Sequence, residues 1–88
     1  MNSKSYKSAV ASLGCMACRL LGHGETPAML HHVREGQGMS QRASDFLIIP
    51  LCHEHHQGKH GIHGHGFESI TKMTEMDLLA ATIEAVIN

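Results

Sequence analysis

Apolar residues return every three or four positions at both ends of the chain and bunch into short runs between them. Near the start, Tyr6, Val10 and Leu13 share a helical face. That spacing predicts a helix over 3–13, capped by Ser3 or Ser5 and stopped by Gly14. Near the end, Met76, Leu79, Ala80, Ile83 and Ile87 predict an amphipathic helix over about 74–88. Its entry, Thr74-Glu75-Met76-Asp77, resembles a capping box with Asp in the usual Glu position.

Between these helices the period shortens. Residues 28–33 predict one short strand. The β-branched and aromatic run Phe46-Leu47-Ile48-Ile49 predicts another, which Pro50 is expected to end. Residues 51–57 suit a short helix or turn, and 67–73 a helical turn. The polar, glycine-bearing segments 22–27 and 35–44 read as loops. The expected fold class is α+β. A single domain spans 1–88, with an N-terminal helix, a central body over about 13–66 and a C-terminal amphipathic helix.

Composition makes the centre of the chain chemically unusual. With 88 residues, three aromatics and no Trp, the chain can build only a modest core. Domains of this size often need a metal, disulfide or partner chain. Three cysteines are an odd number, which argues against a self-contained disulfide framework. All nine histidines fall between His23 and His65, interleaved with Cys15, Cys18 and Cys52. Imidazole and thiolate are standard ligands of zinc and related metals. No stretch approaches membrane-spanning length and no apolar signal core opens the chain, so the expected location is cytoplasmic. Net charge is −1, but residues 1–66 are slightly basic and the tail is acidic.

Cys15-x-x-Cys18 presents two thiolates to one ion. Cys52 and a histidine at 55 or 56 complete a Cys3His set of the closed, structural zinc kind. On a helical turn Cys52 and His55 share a face, which favours His55. A redox role for Cys15-x-x-Cys18 would call for a βαβ pattern around it, and none is present. The adjacent pair His31-His32 is less obvious. Strand alternation sends neighbours to opposite faces, so both can serve one site only at a strand end or a distortion. The segment 58–66 alternates glycine with histidine and has little intrinsic structure of its own.

Leu30-His31-His32-Val33-Arg34, a polar loop, and Asp45-Phe46-Leu47-Ile48-Ile49-Pro50-Leu51-Cys52-x-x-His55-His56 follow one another in order. This resembles the HNH, or His-Me finger (ββα-metal), endonucleases. Within them, Pro50-Leu51-Cys52-x-x-His55-His56 followed by Gly58 and Gly61-Ile62-His63 is most similar to the phage recombination-enhancement (Ref-like, RecA-dependent) nucleases. The resemblance implies a zinc-stapled ββα-metal domain that hydrolyses phosphodiester bonds in DNA. It implies His32 as general base and His31, His56 and His63 as ligands of a catalytic Mg2+, Mn2+ or Zn2+ ion. His60, four residues beyond His56, is the alternative to His63. The asparagine that gives the HNH motif its name is missing, and Asp45 is the nearest polar residue to brace the base.

Arg34, Arg42 and Lys59 flank the site in sequence and can hold phosphates. DNA, and a RecA recombinase filament, are the implied partners. The apolar face of the last helix serves as core or as a homodimer seam. His53 and His65 are expected to be exposed, and His23 carries no assignment. Two other readings compete. One is a non-catalytic zinc module docking DNA or protein, which should show a stronger basic face. The other is a metal buffer or sensor, which has no need of a base held apart from the ligands.

Overall fold

The computed structural model describes residues 1–33, 44–64 and 66–88. Arg34, Arg42 and His65 lie outside the described residues, as does the predicted 35–44 loop except for Ser44. Helices α1 (Ser3–Ser12) and α2 (Met16–Leu21) precede strands β1 (Met29–His32) and β2 (Ile48–Leu51). Helices α3 (His53–Gln57), α4 (Phe67–Thr71) and α5 (Glu75–Ile87) follow. Among the described residues this is a small α+β arrangement built on one two-stranded antiparallel sheet.

α1 buries Tyr6 and Val10, as its spacing predicts. Its cap is Asn2 rather than Ser3 or Ser5: Ser5 N–H donates to Asn2 Oδ1 at 2.9 Å. Gly14 then turns the chain at φ 74, a left-handed conformation that favours glycine. α2 was not anticipated. It is six residues long, and its N-cap is Cys15, whose Sγ accepts from Cys18 N–H at 3.4 Å. A ligand-bearing knuckle thus doubles as a helix start.

β1 and β2 pair with Met29 opposite Leu51, Leu30 opposite Pro50, His31 opposite Ile49 and His32 opposite Ile48. Pro50 therefore lies inside the strand it was expected to end. Val33 N–H donates to Leu47 O at 2.8 Å, one step beyond the paired residues. Antiparallel pairs alternate between bonded and non-bonded, so Leu30 and Pro50 form a non-bonded pair. The missing proline N–H costs the ladder nothing there. Phe46, expected in the strand, sits half-exposed on the preceding turn.

β2 is buried on both faces. On one side Ile48 packs with Tyr6 and Val10 of α1. On the other, Ile49 and Leu51 pack with Met16 and Ala17 of α2 and with Leu78 and Leu79 of α5. Each fully buried aliphatic side chain contributes roughly 1.5–3 kcal/mol. Few such side chains are available, and Cys15, Cys18 and Cys52 occupy the same cluster.

α5 starts with the predicted capping box: Asp77 N–H donates to Thr74 Oγ1 at 3.0 Å and Thr74 N–H to Asp77 Oδ2 at 2.9 Å. The expected apolar face is turned, however. Leu78, Leu79 and Thr82 are buried, while Met76 is 54% and Ile87 73% exposed. Thr82 can face inward because its hydroxyl donates to Leu78 O at 2.8 Å. One turn before Leu78 and Leu79, the inward stripe begins with an acid, Glu75. Among the described residues, no helix is long and apolar enough to cross a membrane.

Candidate active site

Two groups of possible metal ligands converge, one in the core and one at the sheet's end. The first joins Cys15 and Cys18 from the start of α2 with Cys52 and His55 from the start of α3. His55 Nδ1 lies 3.5, 3.4 and 3.3 Å from the sulfurs of Cys15, Cys18 and Cys52, and Cys18 and Cys52 sulfurs are 3.9 Å apart. A tetrahedral zinc with bonds of about 2.3 Å to sulfur and about 2.0–2.1 Å to nitrogen sets its ligand atoms roughly 3.5–3.8 Å apart. The donor set and these separations fit zinc. All three cysteines are free and buried.

The second group is His31, His56 and His63, whose ligand atoms lie within 4.8 Å of one another. His56 and His63 meet nitrogen to nitrogen, 3.0 Å between their Nε2 atoms. Met29 Sδ lies 2.9 Å from His56 Nδ1, so an N–H there leaves the Nε2 lone pair facing His63. Two facing lone pairs repel unless a proton or a cation lies between them. Three imidazoles with open space beside them fit a divalent transition ion held by the protein on one side.

Backbone geometry brings His63 to His56. α3 ends at Gly58, and the chain folds back along its last turn. Ile62 N–H donates to His55 O at 2.8 Å, and His63 N–H to His56 O at 3.4 Å. A Cβ on Gly61 would sit 2.9 Å from Glu54 O and 2.9 Å from His56 C, and one on Gly58 would strike Glu54 O. Only glycine permits this approach. The same fold-back places His60 and Lys59 on an exposed turn, His60 in neither group.

A cleft of about 580 Å3 opens beside the second group, lined by Leu30, His31, His32, His56, Ile62, His63 and Glu75. His31 and His32 reach it although they leave the strand on opposite faces. His31, on the α5 side and 5% exposed, donates from Nε2 to Glu75 Oε2 at 2.6 Å. His32, the last residue of β1 and on the α1 side, donates from Nε2 to Asp45 Oδ1 at 2.9 Å. Asp45 Oδ2 also lies 3.7 Å from Lys7 Nζ of α1. The strand end is what lets one cleft receive both rings.

Over residues 2–76 the chain matches the family model described as recombination enhancement, RecA-dependent nuclease. It belongs to that family. No curated protein and no solved structure matches it. The stretch matched to the RecA-dependent nucleases contains both ligand groups, His32, Asp45 and Glu75, and stops at the second residue of α5.

Burial sets the protonation of several of these side chains in this family member. The Cys15 thiol is pushed up to about 11 by burial. His55 is held below the usual histidine value by burial and then by His23, whose ring stacks 6.4 Å away. His56 is lowered by burial, then by His31, His63 and His53. Neutral imidazole is the form that binds metal. His23 and His53 are exposed. Two neighbours escaped the sequence reading. Glu75 belongs to an inward stripe that its apolar pattern misplaced. Met29 carried no signal beyond a gap-filling role.

Proposed function

We propose that this chain is a metal-dependent DNA endonuclease of the HNH, or His-Me finger, kind, with β1, β2 and α3 as its ββα-metal unit. Membership of the RecA-dependent nuclease family supports a nuclease acting in recombination. The observation that carries the finer reading is the shared cleft: His32 and His56 line one cavity, with a ligand group on one wall and a carboxylate-held imidazole on the other.

In this reading Cys15, Cys18, Cys52 and His55 hold a structural zinc that clamps α2 to α3. His31, His56 and His63 hold a second divalent ion. When bound, that ion supplies positive charge to the phosphate oxygens and to the leaving 3′ oxygen. His32 is the general base. With its Nε2–H given to Asp45, the lone pair is on Nδ1, which takes a proton from water as that water attacks phosphorus. The bond from phosphorus to the 3′ oxygen breaks, and that oxygen takes a proton from solvent, leaving 5′-phosphate and 3′-hydroxyl ends. Asp45 stands where the HNH asparagine is missing. It fixes the tautomer of His32 and stabilises the imidazolium that forms, as the third member of a triad does. DNA, presented on a RecA filament, is the proposed substrate.

Plasmid nicking with Mn2+, Mg2+ or Zn2+, with and without a RecA filament, tests the proposal. His32→Ala should lower the rate by about 10²–10⁴-fold, the usual worth of a general base. Unchanged activity in this variant removes His32 from its role. Absence of cleavage by the wild type under every metal, filament present, would point instead to a zinc-stapled docking module.

A further inference from the structure

Among the described polar side chains lining the cleft, Glu75 alone has no part in the mechanism above. It is not a loose surface acid. Its side chain is 30% exposed and its Oε2 sits 2.6 Å from a His31 ring that is almost wholly buried. It enters from α5, 44 residues away in sequence, and faces the site because Leu78, Leu79 and Thr82 turn that side of the helix inward. Its place is also firm. The capping box from Thr74 to Asp77 spans it and fixes the first turn of α5, and Leu78 and Leu79 pack the following residues on the core.

A carboxylate on one ring nitrogen of a buried histidine has a definite chemical consequence. It holds the proton on Nε2 and leaves Nδ1 as the donor atom. It also makes that nitrogen a better electron donor and stops the ring from turning. His56 is held in a comparable way by Met29, whose sulfur is a far weaker partner.

We infer that Glu75 is a positioning residue, a carboxylate on α5 that fixes the tautomer and orientation of His31 and thereby tightens the second cation site. The inference rests on the reading of His31, His56 and His63 as that site. Glu75 adds the negative charge that three neutral imidazoles lack, so it also offsets part of the ion's charge. It ties α5 to the chemistry, since displacing the first turn of α5 would free the His31 ring.

Titration of Co2+ or Mn2+ into the zinc-loaded protein, followed by visible absorption or electron paramagnetic resonance, separates the possible outcomes. The wild type should bind one labile ion per chain beyond the tightly held zinc. Glu75→Gln, the same size without the charge, should bind it about 10-fold more weakly, and Glu75→Ala up to about 100-fold more weakly, the range found for outer partners of ligating histidines. Glu75→Asp should recover part of the loss. In ¹H–¹⁵N spectra the His31 Nε2–H tautomer should dominate in the wild type and give way to a mixture in Glu75→Ala. Val86→Ala, which trims a packed side chain at the far end of the same helix, should lower thermal stability and leave ion affinity unchanged. Equal affinity in wild type and Glu75→Gln, with the tautomer unchanged in Glu75→Ala, overturns the inference. A wild type that takes up no second ion overturns the cation-site reading itself.

Discussion

His56 and His63 face each other through their Nε2 atoms across 3.0 Å, although seven residues separate them and no helix joins them. Helical spacing would have paired His56 with His60. The chain instead doubles back at Gly58 and Gly61, and the hydrogen bond from Ile62 N–H to His55 O holds that reversal. His63→Ala should therefore weaken binding of the labile ion by more than about 100-fold, beyond the loss typical of an outer partner. Zinc content should not change. His60→Ala should leave ion affinity near the wild-type value. Calorimetric titration of the zinc-loaded variants decides between them, and an effect of His60 equal to that of His63 would refute the assignment.

The reversal itself is open to test. A methyl group on Gly61 meets Glu54 O at 2.9 Å and His56 O at 3.0 Å, both backbone atoms that cannot swing aside. Gly61→Ala should cost about 1–3 kcal/mol in denaturant unfolding, as overpacking commonly does. It should also lower labile-ion affinity by moving the segment that carries His63. Ala at Gly22, where a Cβ meets nothing within 4 Å, is the control. Gly22 lies at φ 78, so Ala there carries a backbone cost that Gly61→Ala does not, without the collision. Labile-ion affinity should survive there.

Removing the structural zinc should be far more damaging than removing the labile ion. The sulfur cluster sits within the larger apolar core and joins α2 to α3. Structural zinc in small domains contributes folding energy directly. Strong chelation, or Cys52→Ser, should abolish the cooperative thermal transition, whereas mild chelation should remove only the second ion. Reloading zinc at neutral pH should release protons, since free cysteine thiols are largely protonated there and bind zinc as thiolates. A chelated chain that melts at the wild-type temperature contradicts this role.

Acid should destabilise the protein whose zinc is bound and whose histidine group carries no ion. His56 has its folded pKa lowered from 6.5. Between that lowered value and 6.5 the unfolded chain binds more protons than the folded one. Stability is then fully present above about pH 6.5 and is lost as the pH falls through that window. Urea titrations between pH 5 and 8 on wild type and His56→Gln measure it. The variant should show a shallower decline, and an identical slope would assign the acid sensitivity elsewhere.

The sequence by itself determined most of the elements and the residues that are candidates for the chemistry. Period 3.6 marked α1 and α5, and Thr74 and Asp77 marked the start of α5. The cysteine spacing pointed to one group of possible ligands and the family resemblance to the other, and both groups converge in the structure, because local stereochemistry and ligand type are written in neighbouring residues. What only the tertiary structure decided depends on packing between distant segments. The side of α5 that turns inward follows from its fit against β2, and this alone brings Glu75 to His31. Pro50 could stay inside β2 because pairing with β1 put it at a position where no N–H is used. The family resemblance already favoured His63 over His60, but how His63 reaches His56 came from a chain reversal that two glycines allow and do not by themselves dictate. Hydrophobic periodicity tells a helix that it has a buried side. The shape of its neighbours selects which side that is.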